Sequence, residues 1–187
     1  MRSARLTARL SMVTGLVALG AASRLLPHPP NFTPVTAIAL FGGACLPRRW
    51  QAFLVPLAAF FVSDLVLGFH DQMPGIYLSM LLIVALGQAL RDHRRPLAVA
   101  AAALLGSVIF FGVSNFGVWA FGSLYPRTGA GLAACFAAAI PFFGPTLFGD
   151  LIYTAALFGG LVLAERLGLR SRGAAASGIL EEQDAHR

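Results

Sequence analysis

The stretch LAVAAAALLGSVIFFGVSNFGVWAFGSL at residues 97–124 decides the fold class, because it contains no charged side chain. A helix needs about 20 consecutive apolar residues to cross the ~30 Å hydrocarbon core of a bilayer, and this stretch exceeds that length. Further apolar segments occupy residues 10–26, 35–46, 51–69, 75–90 and 130–163. The sequence therefore predicts an all-α, polytopic membrane helix bundle with about six transmembrane helices.

The composition of the whole chain is typical of a membrane protein. Of the 187 residues, 57% are hydrophobic and 12% are charged, whereas soluble domains carry about 25% charged residues. All 14 basic residues are arginine, so the chain lacks the lysine of a phosphate-binding Walker loop. The arginines lie in short clusters between apolar segments, and we expect no nucleic-acid partner. Cys45 and Cys135 are too few for a zinc site, and we expect no metal or cofactor.

The distribution of arginine predicts the orientation, because cytoplasmic loops hold an excess of basic residues. Six crossings that start inside leave only Arg24 and Arg127 on the outer side. We therefore expect a multi-pass protein of a bacterial inner membrane, with residues 1–170 as one transmembrane domain and residues 171–187 as a flexible cytoplasmic tail. An alternative stays open: residues 1–22 resemble a signal peptide, whose cleavage would leave five spans.

Proline residues predict two further features. Pro141 and Pro145 interrupt the last apolar segment, since proline removes a backbone donor and clashes with the preceding turn. We expect a short outer helix over residues 130–140 and then a full span over residues 144–166. The loop at residues 27–34 is proline-rich, which would keep it stiff and would lower the entropic cost of organising a binding surface.

Polar side chains from four different segments fall in one predicted layer, near the outer ends of their helices. These side chains are Arg24, Asp64, Asn115 and Asp150. Ionisable residues within a span are costly, so each is a candidate functional residue. Further candidates in or near the outer loops are His28, Asn31, His70, Trp119, Tyr125 and Arg127. We predict that all of these residues contribute to one substrate-binding site, in an aromatic-lined hollow near the outer face.

The same residues have purely structural alternatives. The two aspartates could pair with Arg24 and Arg127 only to hold the helices together. Trp119 and Tyr125 could be anchors at the membrane interface. His28 could be a solvated loop residue, and His70 could simply mark the end of a helix.

Several short motifs resemble a family of small uncharacterised bacterial membrane proteins, over about residues 24–160. The motifs are RLLPHPPNFTPV at residues 24–35, Ser63-Asp64, NFGVW at residues 115–119, Tyr125-Pro126 and GDL at residues 149–151. Membership of this family implies no established activity.

The layout also resembles, more distantly, the S component, which is the substrate-binding subunit of energy-coupling-factor vitamin transporters. S components are six-helix membrane proteins of similar size that bind a vitamin or metal ion near the outer face. They use the loops after spans one, three and five, which correspond here to residues 27–34, 70–74 and 125–145. The resemblance implies a partner, an energy-coupling transmembrane protein with its ATPases. That partner docks on small residues of the first span, where Ala18 and Ala22 fit the pattern.

These observations favour a binding and uptake protein for a small, vitamin-like solute or a precursor. Arg24 and Arg127 would hold anionic groups, the aspartates and Asn115 would form hydrogen bonds, and Trp119 would pack against a ring. Two rival functions stay open. The aspartates and histidines could form a path for metal ions or protons, although no carboxylate continues such a path through the inner half. A membrane enzyme acting on a lipid-linked substrate has no supporting signature, so we predict no catalytic residue and no enzymatic activity.

Overall fold

The computed structural model describes residues 15–25, 27, 31–46 and 48–185, with side chains described as far as residue 166 apart from residue 164. Regular structure in these residues is entirely α-helical, which confirms the predicted all-α fold. The six helices are α1 Gly15–Leu25, α2 Val35–Cys45, α3 Arg49–Leu67, α4 Met73–Ala89, α5 Pro96–Phe121 and α6 Gly129–Ala185. The helices α3 and α5 and the Gly129–Leu163 part of α6 are long and apolar enough to cross a membrane.

The helix α2 forms the centre of the bundle. Its residues from Val35 to Ala44 are all buried, and it packs against α3, α4, α5 and α6. Its sequence, VTAIALFGGAC, is apolar on every side, as expected for a helix that is surrounded by other helices. At 1.5 Å per residue its 11 residues extend about 16 Å, half the thickness of a hydrocarbon core.

Two pairs of glycines allow α4 to approach its neighbours closely. A Cβ atom on Gly43 of α2 would lie 2.9 Å from the Cα atom of Gly87 on α4. A Cβ atom on Gly117 of α5 would lie 2.8 Å from the Cα atom of Gly75, near the start of α4. Small residues at such contacts let backbones pack tightly, which is a main source of helix association in membranes.

Arginine side chains collect at one end of the bundle, in the α2–α3 and α4–α5 connections. Arg91 fastens this end, because its Nε donates to the Gly43 carbonyl at 3.0 Å and its Nη2 donates to the Leu46 carbonyl at 2.7 Å. Both acceptors lie at the C-terminus of α2, where backbone carbonyls lack helical partners. We call this the arginine end, defined by the exposed side chains of Arg48, Arg49, Arg94 and Arg95.

The expectation that Pro141 and Pro145 break the last segment is wrong. α6 runs through both prolines without interruption. A helix that is held by its neighbours can continue past a missing backbone donor. The Phe111 ring of α5 holds α6 on both sides of Pro141, with ring centroids 5.7 Å from Phe136 and 4.9 Å from Phe143.

The helix α6 also continues as far as Ala185. The segment that begins at residue 171, for which the sequence predicts a flexible tail, is therefore a continuation of this helix. Its flexibility and its cytoplasmic location stay predictions. The signal-peptide alternative concerns residues 1–22, of which residues 1–14 lie outside the described part of the chain.

Candidate functional site

The end of the bundle opposite the arginine end contains a buried ion pair. Nη1 of Arg24, at the end of α1, lies 2.6 Å from Oδ1 of Asp64, near the end of α3. The Asp64 side chain is 1% exposed and the Arg24 side chain is 13% exposed. The Tyr77 hydroxyl of α4 donates to the other carboxylate oxygen at 3.0 Å. The carboxylate of Asp64 therefore joins α1, α3 and α4 at one point.

Neighbouring groups on α3 fix the guanidinium of Arg24. Its Nη1 also donates to the Ser63 hydroxyl, and to the Phe60 carbonyl at 3.2 Å. The guanidinium carbon lies 4.1 Å from the centroid of the Phe60 ring, which is a cation–π contact. A buried ion pair is stable when further hydrogen bonds satisfy both partners, and these contacts meet that condition.

Two adjoining cavities lie beside this ion pair. The larger cavity has a volume of about 280 Å³ and the smaller cavity a volume of about 250 Å³. They share the wall residues Asn31, Ile76, Phe110 and Thr146. Arg24 lines the smaller cavity, so the ion pair forms part of its wall. We call this end of the bundle the cavity end.

The cavity walls are mostly apolar and aromatic, with a few polar groups. The phenylalanines of the larger cavity are Phe110, Phe111 and Phe142, and its polar wall residues include Asn31, Gln72, Ser114, Asn115 and Tyr125. The smaller cavity adds Thr33 and Thr36 to Arg24. Small-molecule sites usually have this form, with volumes of about 300–1,000 Å³. Each cavity alone lies near the lower limit of that range, and the two together fall within it.

The loop before α2 is positioned by Phe32. Its ring packs against Tyr153 of α6, with centroids 5.4 Å apart. A Cβ atom on Gly149 would lie 3.2 Å from Cδ2 of Phe32, so the glycine leaves room for the ring. Asn31 has a φ of 61°, a left-handed conformation that asparagine adopts more readily than most residues. This anchoring holds Asn31 in the wall that the two cavities share.

A second buried carboxyl group lies behind the wall of the smaller cavity. Asp150 of α6 is 2% exposed, and the Ser107 hydroxyl of α5 donates to its Oδ2 at 2.6 Å. The Thr36 side chain of α2 also lies close to this carboxyl. Thr36 also lines the smaller cavity, so it lies next to both Asp150 and that space.

Comparison with known protein families matches residues 4–171 to DUF6580, a family of unknown function. The chain belongs to the DUF6580 family. The match covers most of the chain and agrees with the predicted membership of an uncharacterised family. No curated protein and no solved structure matches the chain.

The cavity walls of this DUF6580 protein include some of the residues that the sequence predicts to bind a substrate. These are Arg24, Asn31, Asn115 and Tyr125. Asp64 and Asp150 lie behind the walls, where each contacts side chains of other helices. The predicted His28 lies outside the described residues.

Besides the two aspartates, three more of the predicted residues do not line either cavity. Nε1 of Trp119 donates to the Pro126 carbonyl at 3.0 Å, and Nη2 of Arg127 donates to the Gly122 carbonyl at 2.8 Å. Both hydrogen bonds stabilise the α5–α6 connection. His70 is exposed between α3 and α4. In the described part of the chain, no three His, Cys, Asp or Glu side chains come together as a group that could hold a metal ion.

The hydroxyl groups that contact the two buried carboxyls belong to residues outside the predicted site. Tyr77 bonds to Asp64, whereas Ser107 bonds to Asp150. A serine in an apolar helix most often bonds to its own backbone, as Ser114 does to the Phe110 carbonyl at 2.6 Å. The sequence alone does not distinguish such a serine from one that reaches another helix.

Proposed function

We propose that this protein binds a small organic solute, vitamin-like or a precursor of one, at the cavity end and takes part in its uptake. The observation that carries the proposal is the pair of adjoining cavities, whose walls combine phenylalanine rings with one arginine and several neutral polar side chains. Concave, mostly apolar sites with a few polar groups are the usual form of small-molecule sites.

The wall residues indicate the chemistry of the solute. In the smaller cavity, Arg24 would donate to a carboxylate or a similar oxygen-rich group. Because Asp64 already balances its charge, a weakly charged or neutral group fits better than a multiply charged anion. In the larger cavity, Asn31 and Asn115 offer both donors and acceptors to the edge of a ring. The three phenylalanines would pack against its faces.

We further propose that the chain crosses a bacterial inner membrane six times, with both termini in the cytoplasm. The arginine end would then face the cytoplasm, in agreement with the positive-inside rule, and the cavity end would face outwards. A solute from outside the cell would reach the cavities without crossing the bilayer first.

The proposed role is that of an S-component-like subunit. Such a subunit needs an energy-coupling transmembrane protein with ATPases as its partner. The small residues of the docking pattern, Ala18 and Ala22, are exposed on α1, which leaves this surface open to contact by another helix.

A thermal-shift screen on the purified protein tests solute binding. The panel contains vitamins, their precursors, divalent metal salts and lipid-linked substrates. We expect at least one vitamin-like compound to raise the unfolding temperature of the wild type, because ligands that bind only the folded state stabilise it. The shift should be lost in Asn31→Gly and Asn115→Ala. Glycine is chosen at position 31 because it retains the left-handed backbone conformation.

The matched controls are His70→Gln and Arg127→Gln, since neither residue lines a cavity. Both variants should keep the full shift. Stabilisation by divalent metals alone would contradict the proposal and would favour an ion path. Turnover of a lipid-linked substrate by the purified protein would favour an enzyme instead.

A further inference from the structure

Asp150 is a buried carboxyl group that lies within the longest apolar helix. It is 2% exposed, the Ser107 hydroxyl donates to it, and the Thr36 side chain lies close by. An ionised carboxylate without a cation is very costly in such surroundings. The other buried aspartate, Asp64, has Arg24 as its cationic partner.

Few charged groups lie on the helices around Asp150. Among α2 to α5, the helices that pack against α6 are α2 and α5. α5 contains no titratable residue, and the one titratable residue of α2 is Cys45, at its arginine end. On α6 itself, the nearest titratable side chain along the sequence is Tyr153, which packs against Phe32. Within the described residues, α2, α5 and α6 therefore offer no cation near Asp150, and Arg24 of α1, which lines the smaller cavity, is paired with Asp64.

Ser107 can form a hydrogen bond with Asp150 whether the carboxyl is ionised or protonated. Oγ of Ser107 lies 2.6 Å from Oδ2 of Asp150 and 3.1 Å from the Ala103 carbonyl oxygen. When the carboxyl is ionised, the serine hydroxyl donates to it. When the carboxyl carries a proton, Oδ2–H donates to the serine oxygen, and the serine hydrogen turns to the Ala103 carbonyl. A single hydroxyl rotation therefore accommodates the gain or loss of a proton.

The geometry points to a proton-binding site at Asp150, formed with the Ser107 hydroxyl and lying beside Thr36, which lines the smaller cavity. The proton is exchanged with water and binds to a carboxylate oxygen, so no other reactant is needed. The inference rests on the proposed function only in treating the adjoining cavity as a solute site, because proton binding itself requires no solute.

Infrared spectroscopy of the ligand-free, full-length protein in lipid vesicles tests the site. A protonated carboxyl gives a C=O stretch that is separate from the bands of carboxylates. At neutral pH we expect this band in the wild type and its loss in Asp150→Asn. The band should disappear reversibly as the pH is raised. Asparagine has nearly the shape of the neutral acid, so the variant should fold.

Two variants change the site without removing Asp150. Ser107→Ala removes the hydroxyl that donates to the carboxylate, and Thr36→Val removes the hydroxyl beside it, so in each variant the band should persist to higher pH than in the wild type. The matched control is Ser79→Ala on α4, because the Ser79 hydroxyl bonds to a backbone carbonyl of its own helix and Ser79 lines neither cavity. This control should leave the pH dependence unchanged.

Three results would overturn the inference. The band could be absent from the wild type at every pH, or equally strong in Asp150→Asn. It could also appear only when sodium is omitted from the buffer, which would assign a metal cation rather than a proton to Asp150. None of these results depends on the thermal-shift screen, so the proton site and the solute site succeed or fail separately.

Discussion

Replacing Arg24 by glutamine is expected to lower the free energy of unfolding by about 3–5 kcal/mol, the usual cost of removing one partner from a buried ion pair. The substitution leaves Asp64 at 1% exposure with the Tyr77 hydroxyl but without its cation. It also removes the cation–π contact with Phe60. Denaturant unfolding in mixed micelles measures the effect.

The matched control for this loss is Arg127→Gln. Arg127 is an exposed arginine near the cavity end that bonds to a backbone carbonyl, so its loss should change stability by less than about 0.5 kcal/mol. The double variant Arg24→Gln/Asp64→Asn removes both charges and should be more stable than Arg24→Gln alone. Equal stability of Arg24→Gln and Arg127→Gln would contradict the buried ion pair.

Replacing Gly43 by alanine is expected to destabilise the bundle by about 3 kcal/mol, at the upper end of the usual cost of overpacking. The added methyl group would lie 2.9 Å from both the Gly87 Cα atom and the Gln88 nitrogen, and closer still to the Val84 carbonyl oxygen. All three atoms belong to the backbone of α4, so no side chain can rotate away. The loss should appear as a lower midpoint in the same unfolding measurement.

Gly112→Ala is the control for this substitution. Gly112 lies inside α5, and a Cβ atom there would meet nothing within 4 Å. Alanine should therefore stabilise this variant by up to about 1 kcal/mol through helix propensity. A Gly43→Ala variant as stable as the wild type would show that α2 and α4 are not in close contact.

The sequence predicted α2 to α5 well because each is an apolar segment between polar connections. It predicted poorly which faces of those helices meet each other. On α3, Val55 and Ala59 are buried, whereas Leu65 and Val66 are exposed. All four are apolar, because lipid-facing and interior positions favour the same residue types. Hydrophobic periodicity therefore carries little information about the rotation of these helices.

Because the sequence does not show how the helices are rotated about their axes, only some of the predicted site residues line a cavity. The sequence indicates how far along their helices Asp64 and Asp150 lie. Their position behind the cavity walls depends on helix rotation, which the sequence does not show. Phe111 of α5 contacts α6 on both sides of Pro141, and the sequence does not show such a contact from another helix. Trp119 and Arg127 bond within the α5–α6 connection, and this loop geometry has no periodic signal in the sequence.

Binding in the larger cavity is tested most directly by equilibrium dialysis of purified variants against the compound that stabilises the wild type. Ala139 is buried and lines the larger cavity, whereas Ala137 is exposed on the same helix and does not line it. Ala139→Phe should fill the cavity and weaken binding about tenfold or more, a loss of at least about 1.4 kcal/mol. Ala137→Phe should bind as the wild type does. Equal affinity of the two phenylalanine variants would contradict binding in this cavity.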